Sequence, residues 1–128
     1  MTYENINSIL LDRFPELADD INKETNYWKG EIVPSHILFA YAFNHSGFMA
    51  SLLLAESDEM LVKRVFSFFE EMATCADVEV RNLLKVTLLE YLWGDFDLLK
   101  RARKLMHTYT RKLCDELQVF FGRFDDGE

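Results

Sequence analysis

Residues 32–55 carry no charged side chain over 24 consecutive positions. A run of that length either crosses a bilayer or lies at the centre of a core. Its interior decides between the two. Pro34, Ser35 and His36 stand at its start, and Asn44, His45, Ser46 and Gly47 at its middle. The apolar pieces that remain, 37–43 and 48–55, are each too short to span a membrane. The segment therefore reads as the buried middle of a globular chain, either one helix kinked near 44–47 or two short helices meeting there.

The remainder is helical by pattern. Ile6, Ile9, Leu10 and Phe14 lie on one side of an expected helix over 3–13, with Thr2 as its N-cap. Pro15 suits the first turn of a second helix over about 16–26. Ser57, Asp58 and Glu59 open a helix that runs to about Thr74 and buries Leu61, Val65, Phe68, Phe69 and Met72. Asp77 caps the next, which buries Val80, Leu83, Leu84, Leu88, Tyr91 and Leu92 and ends at Gly94, where glycine can turn left-handed. From Asp95 to Phe121 apolar residues recur every three or four positions, through Leu98, Leu99, Ala102, Leu105, Met106, Tyr109, Leu113 and Leu117. Those 27 residues predict one helix of about 40 Å that must overhang, bend or meet a second subunit.

The chain has 128 residues, 49% of them apolar and 28% charged, with only five Gly and two Pro. That excludes a disordered chain and leaves little room for a turn-rich β fold. The expectation is one all-α domain over 1–128, a compact bundle of five to seven helices with a long C-terminal helix. The acidic tail 124–128 is expected to fray.

The net charge is −8, from 22 acidic and 14 basic residues. The imbalance lies in residues 1–62, which hold ten acids and three bases. Such a surface repels nucleic acid and anionic lipid and attracts basic partners. Asp19, Asp20, Glu24, Trp28 and Glu31 are the residues expected to carry an acidic docking face with an aromatic anchor. A basic run also stands out: Lys100, Arg101, Arg103, Lys104, Arg111 and Lys112 flank His107. It reads as the polar face of the last helix, with Asp97 pairing to Arg101, rather than as a nucleic-acid footprint, because no reader motif accompanies it.

Chemistry is sparse. Neither Asp nor Glu lies three or four residues from His36, His45 or His107, so no helical metal motif is present, and no metal or cofactor is expected. The glycines are not arranged as a phosphate loop. Cys75 and Cys114 are too few for a disulfide framework and fit reduced thiols in a cytoplasmic protein. His107 and Cys114, seven residues apart, would sit about 10 Å apart along a helix, too far for a nucleophile–base pair. The N-terminus has neither the basic region nor the apolar run of a signal peptide. His36, His45 and Glu90 flank or interrupt apolar stretches and would line a ligand pocket if they converged; Asn82 is another polar group expected near the core.

Two resemblances follow from specific residues. Residues 58–92 read as a helical hairpin, and Asp77-Val78-Glu79-Val80-Arg81 is similar to the opening of the second helix in HEAT-type repeats. The run Asp77 to Leu84, followed by Leu89-Glu90-Tyr91-Leu92, resembles an uncharacterised bacterial all-helical family. Small acidic helical proteins of that kind are similar to immunity proteins encoded beside bacterial toxins. The resemblance implies a non-enzymatic cytoplasmic binder that masks a basic toxin. The alternatives are a helical adaptor or scaffold that dimerises through the last helix, and a small-ligand-binding bundle.

Overall fold

The computed structural model describes residues 1–17, 23, 28, 33–44, 48–53 and 58–121. Among these there is no strand, and the chain is a compact all-α bundle within the expected range of helix number. α1 is Ile6–Arg13, followed by a 3-10 turn at Pro15–Leu17. α2 (35–44) begins as an α-helix at Ser35–Phe39 and continues as a π-helix at Ala40–Asn44. α3 is Phe48–Leu53 and α4 is Glu59–Ala73. α5 (78–92) is an α-helix at Val78–Leu83, a π-helix at Leu84–Leu89 and an α-helix again at Glu90–Leu92. α6 is Phe96–Leu105, α7 is Thr108–Glu116, and a last turn covers Gln118–Phe121.

The described part of the charge-free segment contributes to the core, as its composition demands. Leu38, Phe39, Ala42, Phe43, Phe48 and Met49 are all buried. No helix among the described residues is long and apolar enough to cross a membrane. The junction at 45–47, where one kinked helix would be told from two, lies outside the described residues, as does most of the helix expected over 16–26.

Phe43 is the hub of the core. Its ring meets Phe14 at 5.8 Å, Phe48 at 6.0 Å and Phe69 at 5.3 Å, each near edge-to-face. Phe14 in turn meets Phe68 at 5.2 Å. This aromatic cluster ties α1, α2, α3 and α4 together, and such pairs add to the area they bury. Two ion pairs hold α1 and the turn after it to α4. Arg13 donates to both carboxylate oxygens of Glu71, at 2.7 and 2.9 Å, and Arg64 pairs with Glu16.

Local side-chain caps set the starts of α4, α5 and α6. Asp58 accepts from the amides of Met60 and Leu61, Asp77 from Glu79, and Asp95 from Asp97 and Leu98. At α1 the geometry differs from the expected Thr2 cap. The helix begins at Ile6, and it is the Thr2 amide that donates to Asn5 Oδ1, at 2.8 Å. α4 and α5 form the expected helical pair over 58–92 and pack together.

Three expectations fail further along, each for a geometric reason. Tyr91 is 43% exposed rather than buried. The π segment adds residues per turn, so the buried stripe runs Val80, Leu84, Leu88, Leu92 and passes Tyr91 by. Gly94 is not left-handed. The turn closes through donation from Gly94 N to Tyr91 O and from Asp95 N to Leu92 O, and the Asp95 cap then starts α6. The single long C-terminal helix does not form. Met106 (φ −70°, ψ 140°) and His107 (φ −79°, ψ 176°) are extended and divide it into α6 and α7. The break turns the face of α7, so that Thr110, Cys114 and Leu117 are buried while Leu105 and Tyr109 are exposed. The 40 Å rod that would have required an overhang or a second subunit is therefore not present.

A carboxylate from another helix starts α7. His107, at its N-cap position, makes no side-chain cap. Glu70 of α4 accepts instead, from the amides of Tyr109 (3.0 Å) and Thr110 (2.8 Å) and from the Thr110 hydroxyl (2.8 Å). Partial burial pushes the Glu70 carboxyl up, but these donors and nearby His107 more than offset it, leaving it below the ordinary glutamate value. Arg103 joins the two halves. It is buried, and its Nε (3.1 Å) and Nη2 (2.7 Å) both donate to Asp115 Oδ1. It thus leaves the polar face on which the basic run had placed it. Asp97 makes no ion pair with Arg101.

Two predictions follow from the core and from this cap. Phe43→Ala should lower unfolding free energy by about 3–5 kcal/mol, read by urea denaturation, because it empties the middle of the ring cluster. Glu70→Ala should cost about 2 kcal/mol, since it leaves the buried Thr110 hydroxyl and two amides without their acceptor, and Glu70→Gln should cost less. The pH dependence has a definite sign. A carboxyl lowered in the folded state stabilises above its unfolded value and loses that contribution as pH falls through its folded one. The gap between wild type and Glu70→Gln should therefore be full at neutral pH and shrink below about pH 4.

Candidate functional site

α2 and α5 pack against each other through their π segments. Asn44 Nδ2 donates to the Thr87 carbonyl at 3.1 Å, joining one π segment to the other. Its Oδ1 is buried without a hydrogen-bond donor, as is that of Asn7, whose Nδ2 donates to Val33 O. Short π segments recur at functional sites in helical proteins. Beside this one opens a groove of about 310 Å³.

Leu83 and Val86 of α5 form its apolar part. Around them stand Tyr3, His36, Glu79, Asn82 and Thr87. The side chains of these five make no hydrogen bond or ion pair within the protein among the described residues. This separates them from most of the other polar groups described above, which are committed to caps and ion pairs. The apolar surface extends past the groove, with Val78 54% and Val86 56% exposed. Both valines lie off the buried stripe of α5, on its outward face.

The wall that carries Tyr3 is fixed by Asp77. One of its oxygens accepts from the Tyr3 amide at 2.9 Å while the other caps α5 at Glu79, also at 2.9 Å. Donation from Tyr3 and then Glu79 holds the Asp77 carboxyl below its ordinary value. Cys75 Sγ donates to the Met1 carbonyl at 3.2 Å, and Arg81 donates to the Cys75 carbonyl, so the N-terminal turn is held at several points.

Of the expected pocket residues that are described, His36 lines the groove. Glu90 is half-buried further along α5 and does not line it, and His45 lies outside the described residues. Asp19, Asp20, Glu24 and Glu31 also lie outside them. Trp28 is partly buried against the core. Sequence reasoning missed Tyr3, Glu79, Val86 and Thr87. The signal available was the pair Val78 and Val86, two apolar residues facing away from the stripe that starts at Val80.

The thiols offer no nucleophile in the core. Burial pushes Cys114 up to about 12, and its backbone carbonyl accepts from Trp93 Nε1 at 3.1 Å. Among the described residues no three His, Cys, Asp or Glu side chains lie close enough to hold a metal ion.

Asp77→Ala should loosen the groove wall without unfolding the bundle. The expected outcome is faster amide hydrogen exchange at Tyr3 and Glu79, with exchange at Phe68 and Phe69 unchanged.

Comparison with curated proteins and with solved structures returns no match. Residues 7–122 match the family described as DUF7674, a domain of unknown function. That span takes in nearly the whole chain, and the chain belongs to this family.

Proposed function

We propose that this chain is a non-enzymatic protein-binding domain of the immunity type, acting in the bacterial cytoplasm to mask a basic protein such as a toxin. The observation that carries the reading is the α5 groove. It is open to solvent, its polar side chains bond to none of the described residues, and exposed valines border it. Groups left free at a surface held by fixed backbone contacts are suited to recognition, because little order has to be gained on binding.

Charge gives the partner its sign. A surplus of eight negative charges steers cationic proteins toward the surface and repels polyanions. The free thiols Cys75 and Cys114 are compatible with a reducing compartment.

The test is a pull-down with the tagged chain from its native host at low salt, followed by a salt-wash series and mass spectrometry. The expected result is a stoichiometric basic protein released as ionic strength rises, because screening shortens the reach of surface charge. Recovery of the chain alone, or of a partner indifferent to salt, overturns the reading.

A further inference from the structure

We propose that the α5 groove seats a basic amphipathic helix of a protein partner. This rests on the protein-binding reading above and specifies the surface and the shape of what it holds. The groove follows α5 from Glu79 to Thr87, about 12 Å of helix, which matches about two turns of a partner helix. Val78, Asn82 and Val86 are spaced i, i+4, i+8 along the outward face. Apolar side chains at helical spacing on the partner would lie against Val78, Leu83 and Val86, the arrangement by which amphipathic helices enter grooves. The described residues contain no strand edge that an extended peptide could join.

The sign of the partner's flanking charges follows from how α5 disposes of its own. Among the described residues Glu79 is the carboxylate lining the groove, and no Lys or Arg lines it. The two cations of α5 are engaged elsewhere. Arg81 donates to the Cys75 carbonyl, and Lys85 pairs with Glu116 at 2.8 Å. Among the described residues the Glu79 carboxylate thus has no cationic partner, on a chain of net charge −8. Two grooves beside α4 carry cations. One, of about 240 Å³, is lined by Lys63 with Arg13 and Arg64, which pair with Glu71 and Glu16, and the other, of about 280 Å³, includes Lys63 and His107. A Lys- or Arg-flanked helix is therefore attracted to α5 in preference to α4. Tyr3, His36 and Thr87 then offer hydrogen bonds at the rim.

The test uses the full ¹⁵N-labelled chain and two short synthetic peptides patterned as amphipathic helices, one of leucine and lysine, the other with glutamate for every lysine. Binding of the lysine peptide should shift the amides of Tyr3, Asn82, Val86 and Thr87, and the glutamate peptide should not bind. Glu79→Lys and Val86→Lys should each weaken the lysine peptide about tenfold or more. Glu59→Lys makes the same change in net charge at an exposed position on α4 and should alter affinity less than about threefold. No binding, shifts centred on Met60, Lys63 and Leu105, or equal losses for Glu79→Lys and Glu59→Lys would each overturn the proposal. The last of these would mean diffuse charge attraction only. The two readings fail separately. A salt-released partner from the pull-down that still binds Glu79→Lys at full strength removes the groove assignment and leaves the masking function standing.

Discussion

The contact between the Glu70 carboxylate and the first turn of α7 governs how the C-terminal third of the chain is arranged. A helix start exposes amides that need acceptors. At Asp58, Asp77 and Asp95 the acceptor is the residue just before the helix. At α7 it comes from α4, forty residues away in sequence from Thr110. That is why the chain can afford two extended residues at Met106 and His107 where its apolar pattern alone would continue a helix. Once α7 is anchored on α4, its buried face becomes Thr110, Cys114 and Leu117. The remaining attachments then become available: Trp93 to the Cys114 carbonyl, Arg103 to Asp115 and Lys85 to Glu116. Each links α7 to an earlier part of the bundle. Four of the carboxylates in an acid-rich sequence are thus occupied by helix starts and are not part of a free acidic face.

What could be read from the sequence divides along the same line. The charge-free segment had to be core, and Phe39 and Phe43 confirm it. The stripe of α4 and the caps at Asp58, Asp77 and Asp95 were legible because periodicity and capping act within a few residues. Tyr91, Leu105 and Tyr109 were misread for the converse reason. Their exposure is set by the π segment in α5 and the break before α7, and both depend on contacts between distant residues. Arg103 is the clearest case. By spacing it belongs with Arg101 and Lys104 on a polar face, yet Asp115 on the next helix draws it inside. At the candidate site, His36 was visible as a polar residue at the edge of an apolar run, whereas Tyr3 was not, since its place depends on Asp77, 74 residues along.

The π segment links the fold to the surface. A regular helix from Val78 would bring Tyr91 onto the buried side with Val80, and the face opposite would turn with it. The wider turn at Leu84–Leu89 keeps Leu84, Leu88 and Leu92 in one line inward. It also keeps Asn82, Val86 and Thr87 together outward, next to the N-terminal turn. Asn44 steadies this geometry from behind by donating to the Thr87 carbonyl. The groove is therefore set by core packing on one side and by Asp77 on the other, while its own polar side chains take no part in holding the bundle together. Substitutions at Asn82, Val86 or Glu79 can then alter what the surface binds with little effect on stability. Substitutions at Asn44 or Asp77 act on the surface only through its shape.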